Sequence, residues 1–149
     1  ADGTGAVSYD PANHEFMVNL RKQKVDNIQA VVPPVEVDDP SGRARVLVLG
    51  WGSTYGPISA AARRVRTAGR RVATAHLRHL NPLPANLGEV LRAYDRVIVP
   101  EMNLGQLAMV LRSTYLVDVQ SYSRVRGLPI SLSELAADLV ALIDEEDAE

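Results

Sequence analysis

The side chains able to do chemistry gather in three short segments. Gly50-Trp51-Gly52-Ser53-Thr54-Tyr55-Gly56 supplies glycines, hydroxyls and main-chain N–H groups. His76-Leu77-Arg78-His79-Leu80-Asn81 carries two of the three histidines, the third being His14. Glu101-Met102-Asn103-Leu104-Gly105-Gln106 supplies a carboxylate and two amides. Ser53, His76 and Glu101 are the residue types of a nucleophile, base and orienting acid. No Gly-x-Ser-x-Gly elbow surrounds that serine, however. His76 and His79 have a spacing that pairs metal ligands on a helix, yet their segment reads as strand end and loop, which favours a structural or surface role. The glycine loop has the strand–glycine–helix context of a dinucleotide site. The fingerprint needs glycine at position 55 and finds Tyr55. Its ribose-binding acid, about 20 residues on, is replaced by Thr74, His76 and Arg78. The phosphate-loop pattern fails for want of Gly-Lys-Ser/Thr. What remains is a tight strand-to-helix turn whose N–H groups leave a weak anion site open.

The elements that must position these segments follow from periodicity. Arg45 to Gly50, Val72 to Leu77 and Arg96 to Pro100 are short apolar runs, as expected of buried parallel strands. Val117 to Val125 is a fourth strand, and its Ser and Arg content predicts a sheet edge. Between them, Ile58, Ala61, Ala62, Val65 and Ala68 recur at helical spacing, with Gly69 as a stop. Leu87, Val90 and Leu91 mark a short helix, and Leu104, Leu107, Ala108 and Leu111 another. Ser131-Leu132-Ser133-Glu134 is a capping box opening a last helix, with Leu132, Leu135, Leu139 and Leu142 on its core face. The acidic tail from Asp144 to Glu149 is expected to fray. Strands alternating with helices require a mostly parallel sheet with right-handed crossovers. The expected fold is therefore α/β in three layers, a sheet of four or five strands with helices on both faces. The C-terminal ends of its strands share one edge, where such folds place function. The predicted edge cluster, a candidate interface, is Gly50, Gly52, Ser53, Thr54, Gly56, His76, Arg78, Asn81, Glu101, Asn103 and Gln106.

Upstream, Asp10-Pro11 opens a helix reaching about Val31, since Asp caps and Pro suits the first helical position. Its apolar stripe of Met17, Leu20, Ile28 and Val31 is imperfect. The organisation expected is an arm with a bridging helix over 1–34, a connector over 35–44 with a Pro40-Ser41-Gly42 turn, and an α/β domain over 45–149. The first residues lack an initiator Met, which suggests a piece of something longer.

Bulk properties narrow the class. The 149 residues are 46% apolar and 23% charged, with a formal net charge of −2. That balance gives no electrostatic footprint for nucleic acid. Apolar runs fall far short of a membrane span, and no signal peptide is visible. The absence of cysteine excludes disulfides, a thiolate nucleophile and an Fe–S cluster ligated by this chain. These features fit the cytoplasm. Arg63, Arg64, Arg66, Arg70 and Arg71 form a basic patch, read as a solvated helix face or as a dock for an acidic partner.

Three segments in register carry a resemblance across essentially the whole chain. Leu47 to Gly56, His76 to Pro84 and Val99 to Leu107, together with Asp10-Pro11, His14-Glu15, Leu20-Arg21 and Lys24-Val25 upstream, resemble the α subunit of 2-oxoglutarate:ferredoxin oxidoreductases. The resemblance implies the C-terminal, transketolase-C-terminal-like domain of that subunit. It implies a complex that converts a 2-oxoacid and coenzyme A to acyl-coenzyme A and carbon dioxide, reducing ferredoxin. Thiamine diphosphate and Mg2+ would lie between α and β subunits, and a [4Fe-4S] cluster on β. This domain would bind none of them: it lacks a Gly-Asp-Gly motif as well as cysteine. It would support assembly, with the preceding α domains and the β subunit as partners. The isolated chain would be inactive, and self-association of the fragment stays open. Two other readings stand beside this one: the equivalent domain of another thiamine-dependent 2-oxoacid enzyme, and a free-standing α/β small-ligand-binding module using the Gly50–Gly56 loop.

Overall fold

The computed structural model describes residue 3 and residues 5–146. The chain divides into two compact units, one of residues 1–34 and 79–85, the other of residues 35–78 and 86–149.

In the first unit, α1 runs Pro11–Ile28. The Asp10 carboxylate accepts the N–H groups of Ala12 and Asn13 at 3.2 and 3.3 Å, and Pro11 occupies the first turn, where its missing N–H costs nothing. A tight 3-10 turn at Gln29–Val31 replaces the expected last helical turn. The Gln29 side-chain amide donates to the Leu83 carbonyl at 2.9 Å, tying the helix end to the 79–85 segment. Asn81–Pro82 is a cis peptide bond. No residue of α1 is buried, and Phe16 is 61% exposed.

The second unit is a five-stranded sheet in the order β1-β3-β2-β4-β5. Its strands are β1 (Val37–Asp38), β2 (Val46–Trp51), β3 (Ala73–Leu77), β4 (Arg96–Glu101) and β5 (Val119–Ser123). β3, β2, β4 and β5 are parallel, as strand–helix alternation demands, and β5 lies at an edge. β1 was not predicted. It pairs antiparallel with β3, Val37 opposite Ala75 and Asp38 opposite Thr74, inside the segment read as connector. Two residues among prolines carry no periodicity that could announce a strand. They are held by Asn86, whose amide donates to the Val35 carbonyl and whose carbonyl accepts the Val35 N–H, at 3.0 and 2.9 Å.

The helices of this unit are α2 (Tyr55–Thr67), α3 (Leu87–Arg92), α4 (Gln106–Tyr115) and α5 (Leu132–Glu146). One face of the sheet, with Val46, Val48 and Ile98, packs with α2 and α5 through Ile58, Ala61, Val65, Leu135 and Leu139. Alternation along the strands sends Leu47, Leu49, Val97 and Val99 to the other side, and all four are buried. β4 is buried along five of its six residues, the pattern of a central parallel strand. On α5, Leu132 remains 43% exposed, so the predicted core stripe starts at Leu135.

Two local expectations need correction. The capping box at Ser131 is half-formed. Ser131 Oγ accepts the Glu134 N–H at 3.4 Å, but the Glu134 carboxylate turns instead to Arg124 and Arg126. The acidic tail does not fray at Asp144. α5 continues through it, and its carboxylate takes a two-pronged bond from Arg70, at 3.0 and 2.9 Å. The rest of that expectation, 147–149, lies outside the described residues. Arg66 is likewise drawn inward, onto Asp38 and the Val72 carbonyl. The basic patch therefore shrinks to Arg63, Arg64 and Arg71, all exposed.

Candidate functional site

The C-terminal edge of the parallel sheet gathers the predicted segments of the second unit. Gly50 of β2 stands opposite His76 of β3, and Glu101 of β4 opposite Ser123 of β5. Gly50 is required by packing. A Cβ there would lie 2.6 Å from Ile58 Cδ1 and 3.1 Å from His76 Nδ1. Gly52 follows at φ +56°, where glycine avoids the penalty of a side chain. The chain then makes a 3-10 turn, Gly52–Thr54, straight into α2. Thr54 is buried, and its hydroxyl closes this turn by accepting the Trp51 N–H and donating to the Trp51 carbonyl, at 3.0 and 2.8 Å. Ser53 is exposed, and Gly56 sits in the first turn of α2 with open space where a Cβ would stand.

Glu101 does not reach a surface where it could meet a partner, contrary to expectation. It is 0% exposed, and its two carboxylate oxygens accept the N–H groups of Leu107 and Ala108 at 2.9 and 3.2 Å. Asn103 Oδ1 accepts the N–H groups of Gly105 and Gln106 at 2.8 and 2.9 Å. The start of α4, electropositive by its dipole, is thus neutralised by an internal carboxylate. Its donors are not left for an outside anion. Gly105 makes the entry turn at φ +85°, and a Cβ on it would meet Ser121 Oγ at 2.7 Å. The Gln106 side chain is left exposed.

With Glu101 engaged in this way, the serine–histidine–acid relay does not form. His76 meets the ring of Tyr55 edge-on, at 5.2 Å between centroids. Burial first, then the nearby Arg78 cation, hold its imidazole below the ordinary histidine range. His76 therefore favours its neutral form. It lines a groove of about 290 Å³ with Tyr55, Ser59, Thr74, Glu36 and Asp38. Arg78 is exposed just beyond β3. His79 and Asn81 belong to the first unit, where both are exposed. Among the described residues no group of three or more His, Asp or Glu side chains could hold a metal ion.

Two features escaped the sequence reading. A cleft of about 140 Å³ is lined by Trp51, Gly52, Ser53, Thr54, Met102 and Asn103, joining the first and third segments. The second is an ion cluster at the end of β5. Arg124 reaches Glu134 at 2.7 Å and Asp138 at 3.0 Å, while its guanidinium lies 3.9 Å from the Tyr122 ring centre. Tyr122 donates to Asp138 at 2.7 Å. Burial, then this bond, push the Tyr122 phenol well up. The acids Glu134 and Asp138, one helical turn apart beside a strand end rich in arginine, were the available signal.

This sheet order, with its helices on both faces and its polar C-terminal edge, is a transketolase-C-terminal-like α/β fold. A split-gene transketolase shares it, with a TM-score of 0.50 and 19% identity over 74% of this chain and 40% of that one. The 2-oxoglutarate:ferredoxin oxidoreductase of Magnetococcus marinus, solved with 2-oxoglutarate, coenzyme A and succinyl-CoA, matches at a TM-score of 0.83 and 32% identity. The match covers 94% of this chain and 25% of that one. The 2-oxoglutarate oxidoreductase subunit KorA of Mycobacterium tuberculosis is 58% identical over 135 residues, 91% of this chain. The chain belongs to the α subunits of the 2-oxoacid:ferredoxin oxidoreductase family. It spans only about a fifth of the mycobacterial relative's length. No protein-family model matches it. Among the described residues no helix is long and apolar enough to cross a membrane.

Proposed function

We propose that the chain is the non-catalytic assembly and support domain of a thiamine-diphosphate-dependent 2-oxoglutarate:ferredoxin oxidoreductase of the cytoplasm. The complete complex would convert 2-oxoglutarate and coenzyme A to succinyl-CoA and carbon dioxide, reducing ferredoxin. The observation that carries this reading is the 58% identity to the mycobacterial 2-oxoglutarate subunit along nearly all of the chain. The site supports a positioning role. Its carboxylate and its capping amide oxygen are committed to α4, and Thr54 to the turn it closes. The residues present do not fit thiamine diphosphate with Mg2+ or a [4Fe-4S] cluster. The sequence has no cysteine and no Gly-Asp-Gly, so no step of the reaction is assigned to this chain. Its partners are the preceding domains of the same α subunit and the β subunit, with ferredoxin and coenzyme A as partners by way of the complete complex. The exposed side chains Ser53, Arg78 and Gln106, with the half-buried His76, are the edge groups left to meet those neighbours. α1, which buries nothing of its own, is the bridge toward the preceding domain.

The test combines titration with complementation. Calorimetry of the chain with thiamine diphosphate and Mg2+ is expected to show no micromolar binding. Oxoacid-dependent dye reduction is expected only when the chain is part of an α subunit assembled with β. Turnover by the chain alone, or full turnover by a complex lacking this segment, would overturn the reading.

A further inference from the structure

α4 is apolar on its inner side, where Leu107, Ala108 and Leu111 are buried. Its outer side carries apolar residues as well. Met109 is 60% exposed and Val110 47%, with Gln106 and Ser113 between them at helical spacing. The one charged residue of the helix, Arg112, is engaged by Asp118 at 3.3 Å. Just beyond the two ends of the helix, Leu104 is 82% exposed and Leu116 89%. Large apolar side chains left exposed along one stretch of an element mark a place of contact. The opposite side of the sheet is different. There α2 presents Arg63 and Arg64 to water, with Arg71 beyond it.

We propose that the outer face of α4, with Leu104 and Leu116, is the surface on which the rest of the same α subunit packs, leaving the arginine side of α2 toward solvent. The proposal rests on reading the chain as a segment of that subunit. The occupant follows from length: the mycobacterial relative carries four-fifths of its polypeptide outside the stretch this chain spans. A covering surface in the same polypeptide needs no separate association step, and its linkage raises the local concentration of the contact. The one charged side chain of the helix is already paired within the chain, so the exposed Met109, Val110, Leu104 and Leu116 call for an apolar partner surface, not an acidic one.

Methionine oxidation reads the face directly, because susceptibility follows exposure. Dilute peroxide is applied to this chain alone and to the intact α subunit in its complex with β, and each methionine is followed by mass spectrometry. Met109 is expected to oxidise about tenfold or more slowly in the subunit. Arginine modification at Arg63 and Arg64 should run at similar rates in both. Equal Met109 rates in a complex that assembles and turns over would overturn the proposal and leave the functional reading standing. A wild-type subunit that neither assembles with β nor turns over would remove that reading, and the proposal with it. A second copy as occupant would appear as a dimer of the chain alone, with Met109 protected and with dissociation on Met109→Lys; that result would also overturn the proposal. In the supporting case Met109→Lys leaves the thermal midpoint of the chain alone unchanged and lowers the yield of assembled subunit.

Discussion

Glu101 and Asn103 divide the first four N–H groups of α4 between them: Leu107 and Ala108 go to the carboxylate, Gly105 and Gln106 to the amide oxygen. Glu101→Gln keeps the shape but substitutes an NH2 for one acceptor, leaving a buried N–H facing a donor. A loss of about 1–3 kcal/mol is expected, the cost of an unsatisfied buried group. Chemical denaturation of the chain measures it. Unchanged stability would show that α4 is not held by this carboxylate.

Gly105→Ala forces a side chain onto a positive φ and against Ser121 Oγ. The expected cost exceeds about 1 kcal/mol, read as a lower unfolding midpoint. Combining it with Ser121→Gly should recover the part due to contact and leave the part due to φ. Full recovery would mean that the backbone carries no strain.

The strand runs and helix spacings were legible in sequence because burial on one or both faces leaves a period. What lay inside the edge cluster was not. β4 is buried on both faces, so alternation could not say which way Glu101 points. The Asn103 contacts are of a kind a sequence can announce, because they are local: the side-chain oxygen bonds main-chain N–H groups two and three residues on. Arg66 and Arg70 looked like surface charge because their acids lie 28 and 74 positions away in sequence. Only the folded chain brings Asp38 and Asp144 to them.

His76 should titrate below the ordinary histidine value, followed by the imidazole proton resonance in an NMR pH series. Burial is the larger cause and Arg78 the smaller. Arg78→Gln should therefore move the midpoint up without restoring it fully. The Tyr55 ring against the imidazole, and Glu36 and Asp38 lining the same groove, remain in that variant. Complete restoration would make charge, not burial, the dominant cause.

The hydrogen bonds from Arg124, then Arg126, hold the Glu134 carboxyl below its usual range. A carboxylate depressed in the folded state adds stability above its unfolded pKa, and that stability fades as pH falls through the folded value. Glu134→Gln should narrow the stability difference between neutral and strongly acid solution. Parallel curves for both proteins, from pH 7 to about pH 2, would show that the cluster is not coupled to folding.

β1 ends the sheet on one side with two residues, Pro33 and Pro34 before it and Pro40 after it. Prolines lack the N–H that an incoming strand must bond. That margin of the molecule is therefore blunted against ribbon-like growth with its own kind, a common hazard of open sheets. The opposite margin is β5, whose sequence Val119-Gln120-Ser121-Tyr122-Ser123 contains no proline. Copies of the chain zipping together through main-chain bonds would find their longer proline-free edge along β5.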